Sequence, residues 1–233
     1  CALKRELARL VRRLEPSARQ TITPLLGPLI DGIDAQHTHI LLSDAQCSVL
    51  VEHPCPNLIG DPASNSPMLL WENRLYFRRY YNLERRIANQ LIARHKELNR
   101  SESDAPMQHV RRNYPLLSAQ QIEAVELAHT RSLSIITGGP GTGKTTLIKA
   151  LLSSVLASNA DLRVALAAPT GKAVARLERS LDGLSLSPDQ VEVKTLHRLL
   201  GYGAGRRPRY DSNRRLALDL IVIDEASMIA LTL

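Results

Sequence analysis

An α/β fold with a mainly parallel sheet is predicted for the second half of this 233-residue chain, preceded by a smaller, mostly helical α+β region. Three observations carry the prediction. Beyond residue 113, strand-like apolar runs alternate with helical stripes, the pattern of a parallel sheet whose strands return through helical crossovers. The glycine-rich stretch "GGPGTGKT" lies between one such strand and one such helix. The run "LALDLIVID" is almost wholly apolar, as expected of a parallel strand buried on both faces. A chain of this length can bury one large core or two modest ones. The change of pattern favours two: residues 1–98 and residues 114–233, with a linker over residues 99–113.

From the amino end, "LKRELARLVRRLEP" places Leu3, Leu7, Leu10, Val11 and Leu14 on one helical face and stops before Pro16. "HTHILL" reads as a short strand and "VEHPCPNLIGDPASNSP" as loop. "PMLLWENRLYFRRYY" reads as a hairpin turning at Glu72 and Asn73. Asn82 is placed to cap a following helix that bears Leu83, Ile87 and Leu91. After the polar linker, "LSAQQIEAV" opens a helix, "LSIIT" is a strand, and "KTTLIKALLSSVLA" is a helix with Leu147, Ile148, Leu151, Leu152 and Val155 inward. "VALAAP" is the next strand and "GKAVARLERSLDG" the next helix, with Ala173, Val174, Leu177 and Leu181 inward. "LALDLIVID" closes the pattern.

The formal charge is +7 and the isoelectric point about 9.6, which suits a polyanionic partner, although a solvated basic surface has the same composition. No apolar run is long enough to cross a bilayer, so no membrane role is expected. Three cysteines, Cys1, Cys47 and Cys55, are too few and too irregular for a disulfide framework, and a cytoplasmic location follows as the expectation. The first residue is not Met and no signal peptide is visible, so the amino terminus reads as cut. Cys47, His53 and Cys55 offer three close ligands without a Cys-x-x-Cys pair, which argues against a zinc site.

The chemistry gathers in the second half. Gly138, Gly139, Pro140, Gly141, Thr142, Gly143, Lys144 and Thr145 fit the phosphate-loop pattern, and Thr146 continues it into the helix. Glycines let backbone N–H groups close on phosphate, the helix N-terminus adds its dipole, Lys144 reaches the β and γ phosphates, and Thr145 can ligate Mg²⁺. Asp224 and Glu225 end an apolar strand, where the Asp can hold the metal and the Glu can orient or deprotonate a water. ATP with Mg²⁺ is the cofactor pair these residues imply, with Lys144, Asp224 and Glu225 in the catalytic roles and Thr145 and Asp224 at the metal. Ser118 and Gln121 form a capping box, while the Gln121 amide suits an adenine edge equally well, and the spacing supports both readings alike. Pro169, Thr170, Gly171 and Lys172 suit a nucleic-acid phosphate, or simply cap a helix. Thr195, His197 and Arg198 lie between leucines, where a single histidine is more often structural. "GRRPRYDSNRR" is a basic run with one aromatic, as nucleic-acid loops often have, although such a run is more often a mobile solvated loop.

Taken in order, "LSAQQIEAV", "GGPGTGKTT", "APTGKA" and "DEAS" resemble the glutamine motif and motifs I, Ia and II of superfamily 1 DNA helicases. "ITGGPGTGKTT", "AAPTGKAVARL", "TLHRLLG" and "VIDEASMI" are similar to the RecD family, the alpha subunits of exodeoxyribonuclease V, and "PMLLWENRLYFRRYYNLE" extends the similarity upstream. That resemblance implies a RecA-like ATPase core and movement 5′ to 3′ on single-stranded DNA. It also implies work with RecB and RecC at the ends of double-stranded DNA in break repair and recombination, in the bacterial cytoplasm. It implies an adenine contact for Gln121 and DNA contacts for Pro169, Thr170 and Lys172, and more weakly for Thr195 and His197. One departure is Ala230, where the family commonly has Asp after "DEASMI".

Three readings compete. The leading one is the amino-terminal portion of such a helicase subunit, with the ATPase domain ending after motif II. With one nucleotide-binding core in sequence, such a chain is expected to bind nucleotide weakly, hydrolyse it slowly and not unwind DNA. The alternatives are a stand-alone helicase of the same kind and a phosphate-loop NTPase with no DNA role. A separate reading concerns the upstream region, which lacks a catalytic constellation and is expected to serve chiefly as a docking module for the RecB and RecC subunits.

Overall fold

The computed structural model describes residues 2–96, 104–139, 141–159, 161–184, 187, 190–203, 208–211 and 213–233. Cys1, Pro140 and parts of the 99–113 and 205–215 runs therefore lie outside the described residues. The chain divides into two compact units, the first ending at Gln90 and also taking in Ala230–Thr232, the second holding Leu91–Ile229 and Leu233.

The first unit opens with α1 (Ala2–Leu14), whose Val11 is buried and whose Leu7 and Leu14 pack on the same core, as the stripe predicts. It continues with α2 (Arg19–Asp34), β1 (His39–Leu41), α3 (Asp44–Glu52), β2 (Ile59–Gly60), β3 (Met68–Trp71), β4 (Arg74–Phe77) and the start of the long α4 (Arg78–Lys96), whose residues from Leu91 on belong to the second unit. α2 is a helix despite Pro24 and Pro28. Both prolines face solvent, while Ile22, Leu25, Leu26, Leu29 and Ile30 form the buried stripe opposite. The sheet order is β1-β4-β3-β2, with β3 and β4 antiparallel. Glu72 and Asn73 both have positive φ (46° and 60°), the backbone of a tight hairpin turn whose twist matches the strands it joins.

Asn82 caps nothing: α4 starts four residues earlier at Arg78, where the hairpin ends, so Asn82 lies within it. Ile87 and Leu91 of that helix are each 41% exposed rather than core.

The second unit contains α5 (Ala105–Asn113), α6 (Ala119–Thr130), α7 (Lys144–Ser158), β5 (Val164–Ala168), α8 (Gly171–Ser180), β6 (Val191–Thr195), α9 (Leu196–Leu199) and β7 (Leu220–Ile223). α5 occupies most of the expected linker. Its Met107 and Val110 are buried in one cluster with Val125 of α6 and Leu147 and Leu151 of α7, so a polar composition concealed a short apolar stripe. β5 lies between β6 and β7 and pairs with both in parallel, as the alternation of strands and helices requires. Ile148 and Leu152 of α7 and Leu177 of α8 cover one face of the sheet against Val164, Leu166 and Ala168. Ala165 and Ala167 face the other way, onto Leu196, Leu199 and Ile229.

Two expectations for this sheet fail. Residues 133–137 form no strand: Ile135 is 75% exposed, and the β-prone composition of "LSIIT" finds no hydrogen-bonded partner strand among the described residues. β7 is shorter than "LALDLIVID" and is not buried on both faces. Among the described residues it has a single neighbour, and Ile221 and Ile223 are each 42% exposed, the signature of an edge strand.

Candidate functional site

The phosphate loop turns into α7 through two left-handed glycines, Gly141 (φ 76°) and Gly143 (φ 79°). The left-handed backbone at Gly143 favours glycine, and a Cβ there would lie 2.6 Å from the Gln121 amide nitrogen and push that side chain aside. Thr142 Oγ1 donates to the Gly139 carbonyl at 2.9 Å and stiffens the turn. Lys144 Nζ donates to the carbonyls of Gly138 and Gly139 at 2.6 and 2.8 Å, so the ammonium sits over the loop it would serve. Two left-handed glycines, a lysine and a helix N-terminus together fit a polyphosphate.

Gln121 does two structural things at once. Ser118 and Gln121 form the capping box of α6, with Ser118 N donating to Gln121 Oε1 at 2.8 Å and Gln121 N donating to Ser118 Oγ at 3.3 Å. The Gln121 amide N–H then donates to the Thr142 carbonyl at 3.0 Å. The side chain therefore ties the start of α6 to the phosphate loop. The capping half is visible in the spacing; the bond to Thr142 depends on how α6 approaches the loop.

The parallel sheet brings the remaining candidates to one edge. In register, Ala168 of β5 stands opposite Thr195 of β6, and Ala167 stands opposite Ile223 of β7. The carboxyl ends of three neighbouring strands thus deliver Pro169 and Thr170, Thr195, and Asp224 and Glu225, where open parallel sheets generally hold ligands. Thr170 caps α8, its Oγ1 accepting from Ala173 N at 3.3 Å, and Thr195 caps α9 in the same way through Arg198 N at 3.3 Å. Both hydroxyls therefore have a structural use. Lys172 is exposed and makes no ion pair among the described residues. His197 is exposed and packs edge-on against Tyr202, with ring centres 5.3 Å apart. In the basic run, the guanidinium groups of Arg209 and Arg214 both lie over the Tyr210 ring, at 5.6 and 5.9 Å, so this aromatic is already engaged within its own loop.

Asp224 N donates to the Ala167 carbonyl at 2.9 Å and its Oδ1 accepts from Glu225 N at 3.0 Å, which fixes the carboxylate at the strand end. Glu225 has φ 54° and ψ 38°, left-handed and costly for a non-glycine residue. Its Oε1 accepts from Arg176 Nη1 of α8 at 3.3 Å, a partner 49 residues away that the sequence analysis did not single out. Thr145 and Asp224 supply the hard oxygen donors that Mg²⁺ favours. No hydrogen bond or ion pair among the described residues joins the phosphate loop to Asp224 or Glu225. Cys55 is buried and Cys47 half-buried in the first core, and burial raises both thiols.

An AAA domain family model matches residues 121–233. The chain is 39% identical over 191 residues to the RecBCD enzyme subunit RecD of Mycobacterium tuberculosis, covering 76% of this chain and 32% of that protein. It is 37% identical over 194 residues to the RecD subunit of Haemophilus influenzae, covering 73% and 30% respectively. It is 40% identical over 112 residues to the ATP-dependent RecD2 DNA helicase of Deinococcus radiodurans, covering 48% and 14%. The chain spans about a third of the length of the RecD subunits it matches. A match over 76% of the chain is longer than the 121–233 segment, so the likeness reaches the region upstream of the phosphate loop. With a P-loop NTPase core in its second unit and similarity to RecD subunits on both sides of residue 121, the chain resembles a segment of those RecD subunits.

Proposed function

We propose that this chain supplies the ATP-binding core of a DNA helicase subunit that moves 5′ to 3′ on single strands, with RecB and RecC, at the ends of broken DNA in the bacterial cytoplasm. The carrying observation is the shared strand edge: β5, β6 and β7 end side by side, presenting the loops after β5 and β6 together with the acidic pair, and α7 packs on the same sheet. Lys144 leaves the Gly138 and Gly139 carbonyls to hold the β and γ phosphates, and Gln121 keeps the loop open through Thr142 while meeting the adenine edge. Gly138, Gly139, Pro140, Gly141, Thr142, Gly143 and Thr146 complete the cradle. Thr145 and Asp224 would hold Mg²⁺, which would supply charge neutralisation at the phosphates when bound. Glu225 orients the attacking water and takes its proton. Pro169, Thr170, Lys172, Thr195 and His197 meet the DNA backbone, the backbone amide groups and Lys172 by charge and hydrogen bonding. The first unit, which carries none of these groups, docks partner subunits.

ATP turnover with and without single-stranded oligonucleotide tests this reading. DNA should stimulate turnover, Lys144→Ala should abolish it, and Lys172→Ala should weaken oligonucleotide binding with a salt slope lower by about one. Turnover indifferent to DNA would leave a DNA-independent NTPase instead.

A further inference from the structure

The carboxylate assigned to water activation is already in use, and the group that occupies it stands on the helix that starts at the proposed DNA loop. Arg176 follows Lys172 by four residues in α8, which places the two cations on one helical face. Arg176 Nη1 reaches Glu225 Oε1 at 3.3 Å across the ends of neighbouring strands β5 and β7. The side chains are 62% and 38% exposed, so an incoming phosphate has access to the guanidinium. Exposed ion pairs of this kind are weak, whereas a guanidinium and a phosphate form a forked, charge-assisted pair. The carboxylate oxygen held by Arg176 cannot simultaneously accept a hydrogen bond along the same lone pair from a water.

We propose that Arg176 is a positioning residue that exchanges Glu225 for a DNA phosphate, so that strand binding along residues 169–176 releases Glu225 to orient water. This rests on the roles given above to Glu225 and to the loop after β5. Asp224 stays put in the exchange, because its own bonds run to the backbone of Ala167 and Glu225 and not to Arg176. Binding linkage is reciprocal: if DNA draws Arg176 from Glu225, then Glu225 weakens DNA binding by the same factor.

The test measures binding of a fluorescent oligothymidylate to the full chain without nucleotide, and ATP turnover with and without that strand. Glu225→Gln should tighten DNA binding by up to about fivefold, the reach of an exposed ion pair. Arg176→Gln should weaken binding, lower the salt slope by about one, and erase the effect of Glu225→Gln when the two are combined. Arg176→Gln should also raise DNA-free turnover by up to about fivefold and shrink the stimulation by DNA to match, while Arg176→Lys keeps most of the coupling. Equal tightening by Glu225→Gln in both backgrounds would reveal a general charge effect and overturn the proposal, as would unaltered DNA-free turnover in Arg176→Gln. A wild-type chain that ignores DNA altogether removes the helicase reading and this proposal together. One that binds and responds to DNA but shows no coupling removes this proposal alone.

Discussion

His129 is held toward its neutral form by burial, which lowers its pKa below the ordinary 6.5. Its Nε2 lies 2.8 Å from Ser154 Oγ, whose hydroxyl donates to the Leu151 carbonyl, so the ring N–H is the donor to serine. Because the folded value is depressed, the unfolded chain binds more protons below 6.5, and the stability His129 contributes is intact above that value and lost as pH falls beneath it. His39 in the first unit shifts the same way, with burial again the leading cause. The urea midpoint should therefore drop between about pH 7.5 and about pH 5.5, and drop less in His129→Gln. Equal drops in the two proteins would assign the pH dependence elsewhere. At this scale, what the sequence shows depends on how far apart the partners lie. The Ser118–Gln121 box is legible because its partners are three residues apart and their chemistry is local. The Arg176–Glu225 pair and the bond from Gln121 to Thr142 exist only because strands and helices return to one edge, and no local pattern encodes them.

Among the elements, the hairpin was the most legible. Two β-prone runs about Glu72 and Asn73 become β3 and β4, and the structure adds why these two residues can turn. Both adopt positive φ, and Asn73 Nδ2 donates to Asp44 Oδ1 at 3.0 Å, tying the turn to α3. Asn73→Ala loses a residue tolerant of that backbone and loses the tie as well. It should lower stability by about 1 kcal/mol, read from the shift of the denaturant midpoint. A change within about 0.2 kcal/mol would show that the strands alone set the turn. The errors have equally physical sources. Residues 133–137 have the composition of a strand, but composition makes a strand only where a neighbouring edge accepts its hydrogen bonds. α2 drew no expectation from the sequence; Pro24 and Pro28 both fall on its solvent side and leave its buried stripe intact. α5 was obscured by its charged residues, since a nine-residue helix needs few apolar groups to dock.

At the scale of the whole molecule, two separate cores stand in one chain. One is built on Ile22, Leu29, Leu58 and Leu75, the other on Leu152, Val164 and Leu166. The candidate nucleotide residues all belong to the second. A ligand stabilises the unit that binds it by an amount set by its concentration relative to Kd, about 2.7 kcal/mol at a hundredfold excess. Saturating Mg-ATP should therefore slow hydrogen exchange about 100-fold at amides of α7 and β5 that open only when their unit unfolds. Amides of β3 and β4 should exchange at their previous rate. Lys144→Ala, which removes the group proposed to hold the phosphates, should cut most of the protection from α7 and β5 while leaving β3 and β4 as they were. Protection of the hairpin equal to that of α7 would mean that the two cores unfold as one cooperative body, so that energy from nucleotide binding reaches the proposed docking unit directly. Selective protection of α7 and β5 would mean that the first unit can hold its partners whether or not the second holds nucleotide.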